Sequence, residues 1–264
     1  SSSGLYASQT ALNVVSHNVA NANTVGYTRQ RLNIESSSPI SMPTVGMLGT
    51  GVTQKSITQV RDKFLDMQFR SEAPILGEWA YKTTTLKNID AIFAEPSTTE
   101  SGIQAIMDDF YSSLEELTKT PDELTTRSLV LEKGVALTTN INNMYSKLYK
   151  LQDDMDFEMK TTVEQINSYS AQIGELNEMI FKQEADGVSV ANDLRDQRNV
   201  LLDELSQIAK VDYYEGANGE FTVLLENRPL VSHFDSYELE LVPRSEKLNY
   251  SDNGNLYDVV WKDT

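Results

Sequence analysis

The apolar residues between positions 141 and 180 recur three or four residues apart, with Thr162 filling the one polar position, and this pattern constrains the fold more than any other feature of the chain. The pattern comprises Ile141, Met144, Leu148, Leu151, Met155, Met159, Ile166, Tyr169, Ile173, Leu176 and Ile180. Such spacing is typical of one narrow apolar stripe along an α-helix. With Thr120 as N-cap and Pro121 at the first helical position, we predict a helix from Pro121 to about Lys182, on the order of 90 Å long. A helix of this length and narrow stripe predicts a rod-like helical bundle.

A second stripe precedes this helix in the chain. Its members are Ile57, Val60, Phe64, Met67, Ile75, Trp79, Leu86, Ile89 and Phe93. Pro74 and Gly77 interrupt it, and because proline removes a backbone hydrogen bond we predict a kink or a break there. Glu95-Pro96-Ser97 is expected to end this helix. Residues 103–117 carry a further helical stripe, which stops before Pro121.

The chain changes character after the long helix. Asp186-Gly187 is expected to close it, and Asn192 or Asp193 to cap a last helix that reaches Ile208. Two helices joined by so short a turn should pack antiparallel, at about 20°. Beyond Lys210 the pattern indicates strands.

Those strands are predicted from alternation and from turn residues. Residues 211–215 and 221–225 are expected to form a hairpin around Asn218-Gly219, and residues 237–242 and 256–261 to form further strands. Near the other end, residues 31–56 are rich in Ser, Thr, Gly and Pro, which predicts an extended linker or a short hairpin.

The predicted fold class is therefore mainly α with a β-rich C-terminal part. Residues 1–56 are interpreted as an N-terminal docking helix plus an extended linker. Residues 57–210 are interpreted as an elongated antiparallel helical bundle or coiled coil, and residues 211–264 as the start of an incomplete β-rich outer domain.

The terminal helix itself carries a narrow apolar stripe. Leu5, Leu12, Val15 and Val19 recur at spacings of seven, three and four. The stripe ends at residues 21–27, where Asn and Gly can adopt the left-handed conformation that terminates helices. A helix of about 18 residues with so little apolar surface needs a partner helix, from elsewhere in the protein or from another copy.

Composition excludes several classes of function. The net charge of −17 argues against binding to nucleic acid or to an anionic membrane. The absence of cysteine excludes disulfides, thiolate metal sites and cysteine nucleophiles. The chain contains neither an apolar run of 18 residues nor a recognisable cleavable signal peptide.

Enzyme chemistry is not indicated either. The two histidines, His17 and His233, lie in different predicted regions, and no triad or zinc site assembles around them. The acidic group of Asp153, Asp154, Asp156 and Glu158 is expected to be a solvated helix face. We therefore predict no catalytic, metal-binding or cofactor-binding residue.

Three stretches carry a resemblance to a known family. Asn18-Val19-Ala20-Asn21-Ala22-Asn23-Thr24-Val25-Gly26-Tyr27, with Ala11-Leu12 before it, resembles the N-terminal signature of bacterial flagellar axial proteins, and the ending Thr28-Arg29-Gln30 narrows the similarity to the hook-associated protein 1 family. The next stretch is Gly49-Thr50-Gly51-Val52, followed by Arg61-Asp62-Lys63-Phe64-Leu65 and Gln68-Phe69-Arg70. The third is Asn192-Asp193-Leu194-Arg195-Asp196-Gln197-Arg198, leading into Leu201-Leu202-Asp203-Glu204-Leu205.

This resemblance implies a structural, non-enzymatic protein of the bacterial flagellum that joins the hook to the filament. The implied partners are further copies in a ring-like zone, the hook protein, hook-associated protein 3 and the flagellar export apparatus. It also implies an extracellular protein exported by the flagellar type III route without a cleavable signal.

An assembly interface is expected at the N-terminus. Its candidate residues are Leu5, Leu12, Val15, Asn18, Val19, Asn21, Asn23, Gly26, Tyr27, Arg29 and Gln30. The asparagines could simply end the helix, or could satisfy exposed carbonyls while their apolar neighbours dock onto adjacent subunits. Arg29, Gln30 and Arg31 could be solvated or could pair with acidic groups of a neighbour. The family resemblance favours the interface role over the alternatives for both groups of residues.

Axial proteins pair a C-terminal helix with the N-terminal one, whereas this sequence stops at Thr264 within predicted β structure. If that partner helix is absent, we expect residues 1–25 to be held only by neighbouring subunits, or to be disordered or swapped in isolation.

Three alternatives stay open at this point. A hook, rod or flagellin-like axial protein could share the N-terminal stretch. A secreted cell-wall hydrolase would need an acidic pair in a cleft. A coiled-coil signalling module would dimerise in parallel through residues 141–180.

Overall fold

A computed structural model describes residues 2–44, 46–94, 102–252, 254 and 256–262. The helices are α1 (Ser2–Ala20), α2 (Lys63–Ala94), α3 (Ile103–Lys119), α4 (Leu124–Gln183) and α5 (Asn192–Ile208). The strands are β1 (Gln30–Ser36), β2 (Ile40–Met42), β3 (Gly46–Leu48), β4 (Val52–Gln59), β5 (Val211–Glu215), β6 (Phe221–Leu225), β7 (Arg228–Ser232), β8 (Asp235–Ser236), β9 (Leu239–Pro243) and β10 (Tyr257–Trp261). The prediction of a mainly α chain with a β-rich C-terminal part is confirmed.

The predicted long helix is present as the 60-residue α4. Its start, however, was placed three residues too early. Thr120 is the C-cap of α3, because its backbone N–H donates to the carbonyl of Glu116 at 3.2 Å. Pro121 therefore lies in the turn between the two helices, and the helix begins at Leu124.

The predicted start of the second helical stripe is also wrong. Ile57 lies in β4, and α2 begins only at Lys63. Asp62 explains this start, since its Oδ1 accepts a hydrogen bond from the backbone N–H of Phe64 at 2.9 Å and so caps the helix. The domain boundary predicted between residues 56 and 57 consequently falls inside strand β4.

The sequence predicts a kink or a break near Pro74 and Gly77, but helix α2 is continuous through both residues, so a break is wrong and a kink stays a prediction. Pro74 forfeits one backbone hydrogen bond, but Arg70 and Ala73 in the preceding turn are buried and their packing holds the helix. The predicted end at Glu95-Pro96-Ser97 and the chain end at Thr264 lie outside the described residues.

The chain forms two compact units, each made of separate segments. The first unit comprises Ser1–Leu76, Glu164–Leu239 and Trp261–Thr264. Its core contains fully buried apolar side chains from the C-terminal part of α4, from α5 and from the sheet. These are Ile173, Leu202, Leu205, Val223, Leu230 and Val231.

The sheet of the first unit has four antiparallel strands in the order β5-β6-β7-β8. The predicted hairpin is present, with Val211 opposite Leu225 and Glu215 opposite Phe221. Strands β7 and β8 were not predicted, because they are short and follow turns at Glu226-Asn227 and His233-Phe234 that carry no glycine. Of the two alternatives predicted for residues 31–56, the hairpin is confirmed and the extended linker is wrong, since β1 pairs with β4 and β2 with β3, both antiparallel.

The second unit comprises Gly77–Val163 and Glu240–Val260. One ion pair connects two of its helices, since Lys133 Nζ on α4 lies 2.6 Å from Asp109 on α3. Another connects its strands, since Arg244, directly after β9, lies 2.9 Å from Asp258 on β10. Among the residues that the structure describes, no helix is both long and apolar enough to cross a membrane.

Candidate assembly interface

Helix α1 presents two different apolar faces. Ala7 and Val14 are buried on the face that contacts strands β1 and β4. The predicted stripe lies elsewhere on the helix, and its members Leu5, Leu12, Val15 and Val19, here called the α1 stripe, are between 55% and 71% exposed. Ala7 and Val14 thus pack inward, whereas two leucines and two further valines face solvent.

The connecting turn (residues 21–29) folds back onto the end of α1 through Asn18. Its Oδ1 accepts hydrogen bonds from the hydroxyl of Tyr27 and from the backbone N–H of Gln30, both at 2.8 Å. Its Nδ2 donates to the carbonyl of Gln30 at 2.9 Å. Asn18 therefore fixes the chain on both sides of the turn.

The other two asparagines differ in environment. Asn21 Nδ2 donates to the carbonyl of His17 at 3.0 Å, which satisfies one of the last carbonyls of α1. Asn23 is exposed, as is Arg29. The helix-ending interpretation therefore accounts for Asn21, and the interface role of the asparagines stays a prediction.

The connecting turn lies on α5. Gly26 has a φ of +78°, and a Cβ added to it would be only 2.0 Å from Cγ2 of Val200. The backbone N–H of Thr28 donates to Oδ2 of Asp196 at 2.8 Å, in a buried position. Asp193 contributes a third contact, because Gln30 Nε2 donates to its Oδ1 at 2.8 Å.

These contacts correct one sequence-based expectation. Residues of α1 and of the connecting turn are held by their own chain: the buried face of α1 lies on the β1–β4 hairpin, and the turn lies on α5. The expectation that residues 1–25 are held only by neighbours is wrong for this segment. The expectation is wrong because α1 contacts strands β1 and β4 and because Asn18 binds Tyr27 and Gln30, and no periodic pattern in residues 1–25 reveals these contacts.

The prediction of Asn192 or Asp193 as the cap of α5 is wrong for a related reason. The N-cap is Ala191, which makes no side-chain cap hydrogen bond. Asn192 instead donates from Nδ2 to the carbonyl of Ile57 at 2.9 Å, and its own carbonyl accepts from Gln59 Nε2 at 2.8 Å. The side chains of Asn192 and Asp193, at the start of α5, thus both bind residues near the N-terminus, namely Ile57 and Gln30.

A cluster of charges lies beside this contact and was not predicted. Arg61 Nε pairs with Asp66 at 2.6 Å, and Arg61 Nη1 donates to Thr28 Oγ1 at 3.2 Å. The Arg61 guanidinium also lies 4.0 Å from Asp196 and 3.9 Å from Asp203. We call Arg61 with Asp66, Asp196 and Asp203 the Arg61 cluster. Arg61, Asp196 and Asp203 belong to the second and third family-like stretches, which carried the only available signal, whereas Asp66 lies in a gap of the second stretch.

Arg70 extends the cluster into the core. It is 3% exposed, its Nε donates to Asp203 at 2.6 Å, and its guanidinium lies 4.7 Å from the centre of the Tyr213 ring. A buried arginine is stable only when paired and hydrogen-bonded, and Arg70 meets both conditions.

A second charged network joins α4, α5 and the sheet. Arg195 donates to both carboxylate oxygens of Glu184, each at 2.7 Å, and to Glu215 at 2.8 Å. The hydrogen bonds from Arg195 hold the pKa of Glu184 below its ordinary value. Arg198 donates to Asn177 at 2.9 Å and lies 3.8 Å above the Phe221 ring. Burial lowers the pKa of Arg198 to about 10, so the side chain stays charged at neutral pH.

A cleft of about 600 Å³ opens between the connecting turn, α4 and α5. Leu176, Val200 and Leu201 provide apolar surface, while Glu175 and Asp193 add negative charge. Burial, followed by the charges of Asp193 and Asp196, raises the pKa of Tyr27, which also lines the cleft. The described residues contain no group of three or more His, Asp or Glu able to hold a metal ion.

The acidic group on α4 has structural contacts. Asp156 Oδ1 accepts a hydrogen bond from the backbone N–H of Tyr257 at 3.2 Å and so anchors β10. Asp153, Asp154 and Glu158 lie on the exposed side of the helix. His17 contacts Tyr27 and Asp193, whereas His233 stacks on Phe234 at 3.6 Å between ring centres.

Comparison with known proteins gives consistent results. The sequence model of the flagellar hook-associated protein FlgK helical domain matches residues 86–259, and that of the flagella basal body rod protein matches residues 1–28. The chain is 37% identical over 235 residues to flagellar hook-associated protein 1 of Bacillus subtilis (strain 168), which is 84% of this chain and 46% of that protein. It is 29% identical over 245 residues to flagellar hook-associated protein 1 of Escherichia coli (strain K12), which is 92% of this chain and 44% of that protein.

A solved structure has the same fold. It is the flagellar hook junction protein FlgK from Burkholderia pseudomallei, with a TM-score of 0.62 and 23% sequence identity over 74% of this chain and 33% of that one. The chain spans about half the length of the curated relatives it matches. Because the family model covers more than half of its residues, the chain belongs to the family of the flagellar hook-associated protein FlgK helical domain.

Proposed function

We propose that this chain is a structural, non-enzymatic component of the bacterial flagellum that joins the hook to the filament, and that it assembles through the α1 stripe. The single observation that carries the proposed interface is the exposure of Leu5, Leu12, Val15 and Val19 on a helix whose opposite face is buried. Apolar side chains aligned on one helix face are stabilised by removal from water, which another helix supplies.

The family relationship supports the place of assembly. Relatives named flagellar hook-associated protein 1 and a hook junction protein share sequence or fold with this chain. The proposed partners are further copies in a ring-like zone, the hook protein and hook-associated protein 3. The proposed location is extracellular, in the flagellum, after passage through the flagellar export apparatus.

The polar candidates have a different role from the apolar ones in this proposal. Asn18, Gly26, Tyr27 and Gln30 shape the connecting turn and present α1, whereas exposed Asn23 and Arg29 are available to a neighbouring subunit. The interface is therefore proposed to consist of the α1 stripe with Asn23 and Arg29 beside its C-terminal end.

The test introduces charge into the α1 stripe of the full-length protein. Leu12→Glu and Val19→Glu each place a carboxylate where an apolar contact is proposed, which is unfavourable when that surface is desolvated. We expect both variants to be exported normally and cells to release filament protein into the medium because filaments no longer attach to hooks. Filament attachment is counted by electron microscopy.

Asn13→Glu is the matched control, because Asn13 is exposed on the same helix but lies away from the α1 stripe. It adds the same charge and should leave attachment intact. Normal attachment in Leu12→Glu and Val19→Glu, with export equal to that of the control, would refute the proposed interface.

A further inference from the structure

The connecting turn and the end of α1 form one rigid piece. Asn18 binds Tyr27 and both backbone groups of Gln30 through three hydrogen bonds of 2.8 to 2.9 Å. The ring of His17 also packs edge-on against Tyr27, with 5.4 Å between ring centres. Any contact that fixes the turn therefore also fixes the direction in which α1 points.

The turn is fixed at one end of α5. Asp193, Asp196 and Val200 lie three and four residues apart, hence on one face of the helix. Asp193 accepts a hydrogen bond from Gln30 Nε2, and Asp196 accepts one from the Thr28 N–H. Val200 lies against the backbone at Gly26.

Asp196 differs from the other two residues because it is 5% exposed and binds a main-chain group. A buried carboxylate needs a charged or hydrogen-bonding partner on each side. On one side Oδ2 accepts a hydrogen bond from the Thr28 N–H. On the other side Oδ1 makes no hydrogen bond to a described residue, and its partner is the charge of the Arg61 guanidinium at 4.0 Å. Arg61 itself donates to Thr28 Oγ1, so both side chains hold the same turn residue.

We infer that Asp196 is a positioning residue that sets the direction of α1, and that assembly through the α1 stripe requires this fixed direction. The second half rests on the proposed function. Asn192 supports the same arrangement, since its contacts with Ile57 and Gln59 hold the strand that α1 packs against.

The direction of α1 is measured by distances between two spin labels. The chain has no cysteine, so Gln9→Cys on α1 and Ala171→Cys on α4 give two unique attachment points, both exposed and both in the first unit. We expect one narrow distance distribution for the otherwise unchanged chain. In Asp196→Leu, which is similar in size but accepts no hydrogen bond, we expect this narrow peak to be lost and the Thr28 amide to lose its protection from hydrogen exchange.

Two further variants separate the hydrogen bond from other effects. Asp196→Asn keeps a carbonyl oxygen for the Thr28 N–H while removing the charge, and we expect it to retain the narrow peak. Asp212→Leu, at an exposed position of β5 in the same unit, controls for replacing a carboxylate by leucine and should also retain it. Far-ultraviolet circular dichroism shows whether each variant keeps its helices.

The same Asp196 variants are then introduced into the full-length protein, and filament attachment is counted. We expect Asp196→Leu to lose attachment and Asp196→Asn to keep it. An unchanged narrow peak in Asp196→Leu would overturn the inference. A broadened distribution with normal attachment would overturn the requirement for a fixed direction, and the Leu12→Glu result would still decide the proposed function independently.

Discussion

Replacing Gly26 by alanine perturbs the contact between the connecting turn and α5 at its closest point. The new Cβ would meet two unfavourable conditions: a φ of +78°, and Cγ2 of Val200 at a distance of 2.0 Å. The first is a local conformational strain, whereas the second is a clash with another element. A well-designed comparison can measure the two contributions separately.

The expected magnitude follows from these contributions. An alanine in the left-handed region costs about 1–2 kcal/mol relative to glycine, and overpacking against a core side chain typically costs about 1–3 kcal/mol. The lower entropy of the unfolded alanine variant offsets roughly 0.4–1 kcal/mol. We therefore expect Gly26→Ala to lower the free energy of unfolding of the first unit by roughly 1–4.5 kcal/mol.

Gly187→Ala isolates the conformational contribution. Gly187 also has a positive φ, +68°, but no heavy atom lies within 4 Å of its added Cβ. Urea unfolding is followed by the fluorescence of Trp261, which belongs to the first unit, in a Trp79→Phe background that removes the other tryptophan. We expect Gly187→Ala to lower the free energy of unfolding by about 1 kcal/mol or less.

Val200→Ala completes the test, because it removes the methyl group that the new Cβ would meet. If the clash is real, Gly26→Ala and Val200→Ala should be strongly non-additive, with a coupling free energy of about 1 kcal/mol or more. Equal effects of Gly26→Ala and Gly187→Ala, together with additivity in the double variant, would refute the placement of the turn on α5.

Two further predictions concern the core and the charged network. Hydrogen bonds from Arg195 hold the pKa of Glu184 below its ordinary value of 4.5. The ionised Glu184 therefore contributes its full share to the free energy of unfolding above pH 4.5, and this share is lost as the pH falls through the lowered pKa. The difference in free energy of unfolding between the unchanged chain and Glu184→Gln should therefore shrink between about pH 6 and pH 3, and a constant difference would contradict the pairing. Ile173→Ala, at a fully buried position of α4, should cost about 2–5 kcal/mol in urea unfolding, whereas Ile141→Ala, 48% exposed on the same helix, should cost less than about 1 kcal/mol; similar effects would contradict the described core.

Periodic patterns predicted the helices because each residue of a stripe contributes to the same signal. The 60-residue α4 was therefore predictable, whereas its first residue was not. Thr120-Pro121 is as typical of a helix start as of a turn. In the structure it forms a turn, because the Thr120 N–H continues the hydrogen bonds of α3. Ile57 was misassigned similarly, because one apolar residue in a strand can match a helical spacing by chance.

The candidate site divides into local and long-range contacts. Asn18 and Tyr27 lie only nine residues apart, and both belong to the N-terminal stretch that carries the family resemblance, so both were predicted as site residues. Asp196 and Arg61 lie far from that turn in the chain, and no spacing rule relates a carboxylate on a late helix to an early backbone amide. The family resemblance includes Arg61 in its second stretch and Asp196 in its third, but only the three-dimensional structure shows that these two stretches are in contact.

The two faces of α1 explain why its attachment is largely polar. Its buried apolar face is small, with Ala7 and Val14 as its buried members, and one buried valine contributes only about 1.5–3 kcal/mol. Covering the four exposed side chains of the α1 stripe would remove more apolar surface from water than the inward face removes. A helix packed for the stability of its own chain would place Leu5 and Leu12 inward, because they are larger than Ala7 and Val14. Hydrogen bonds to Asp196 and Asp193 instead hold the helix in place, which leaves the α1 stripe for contact with another molecule.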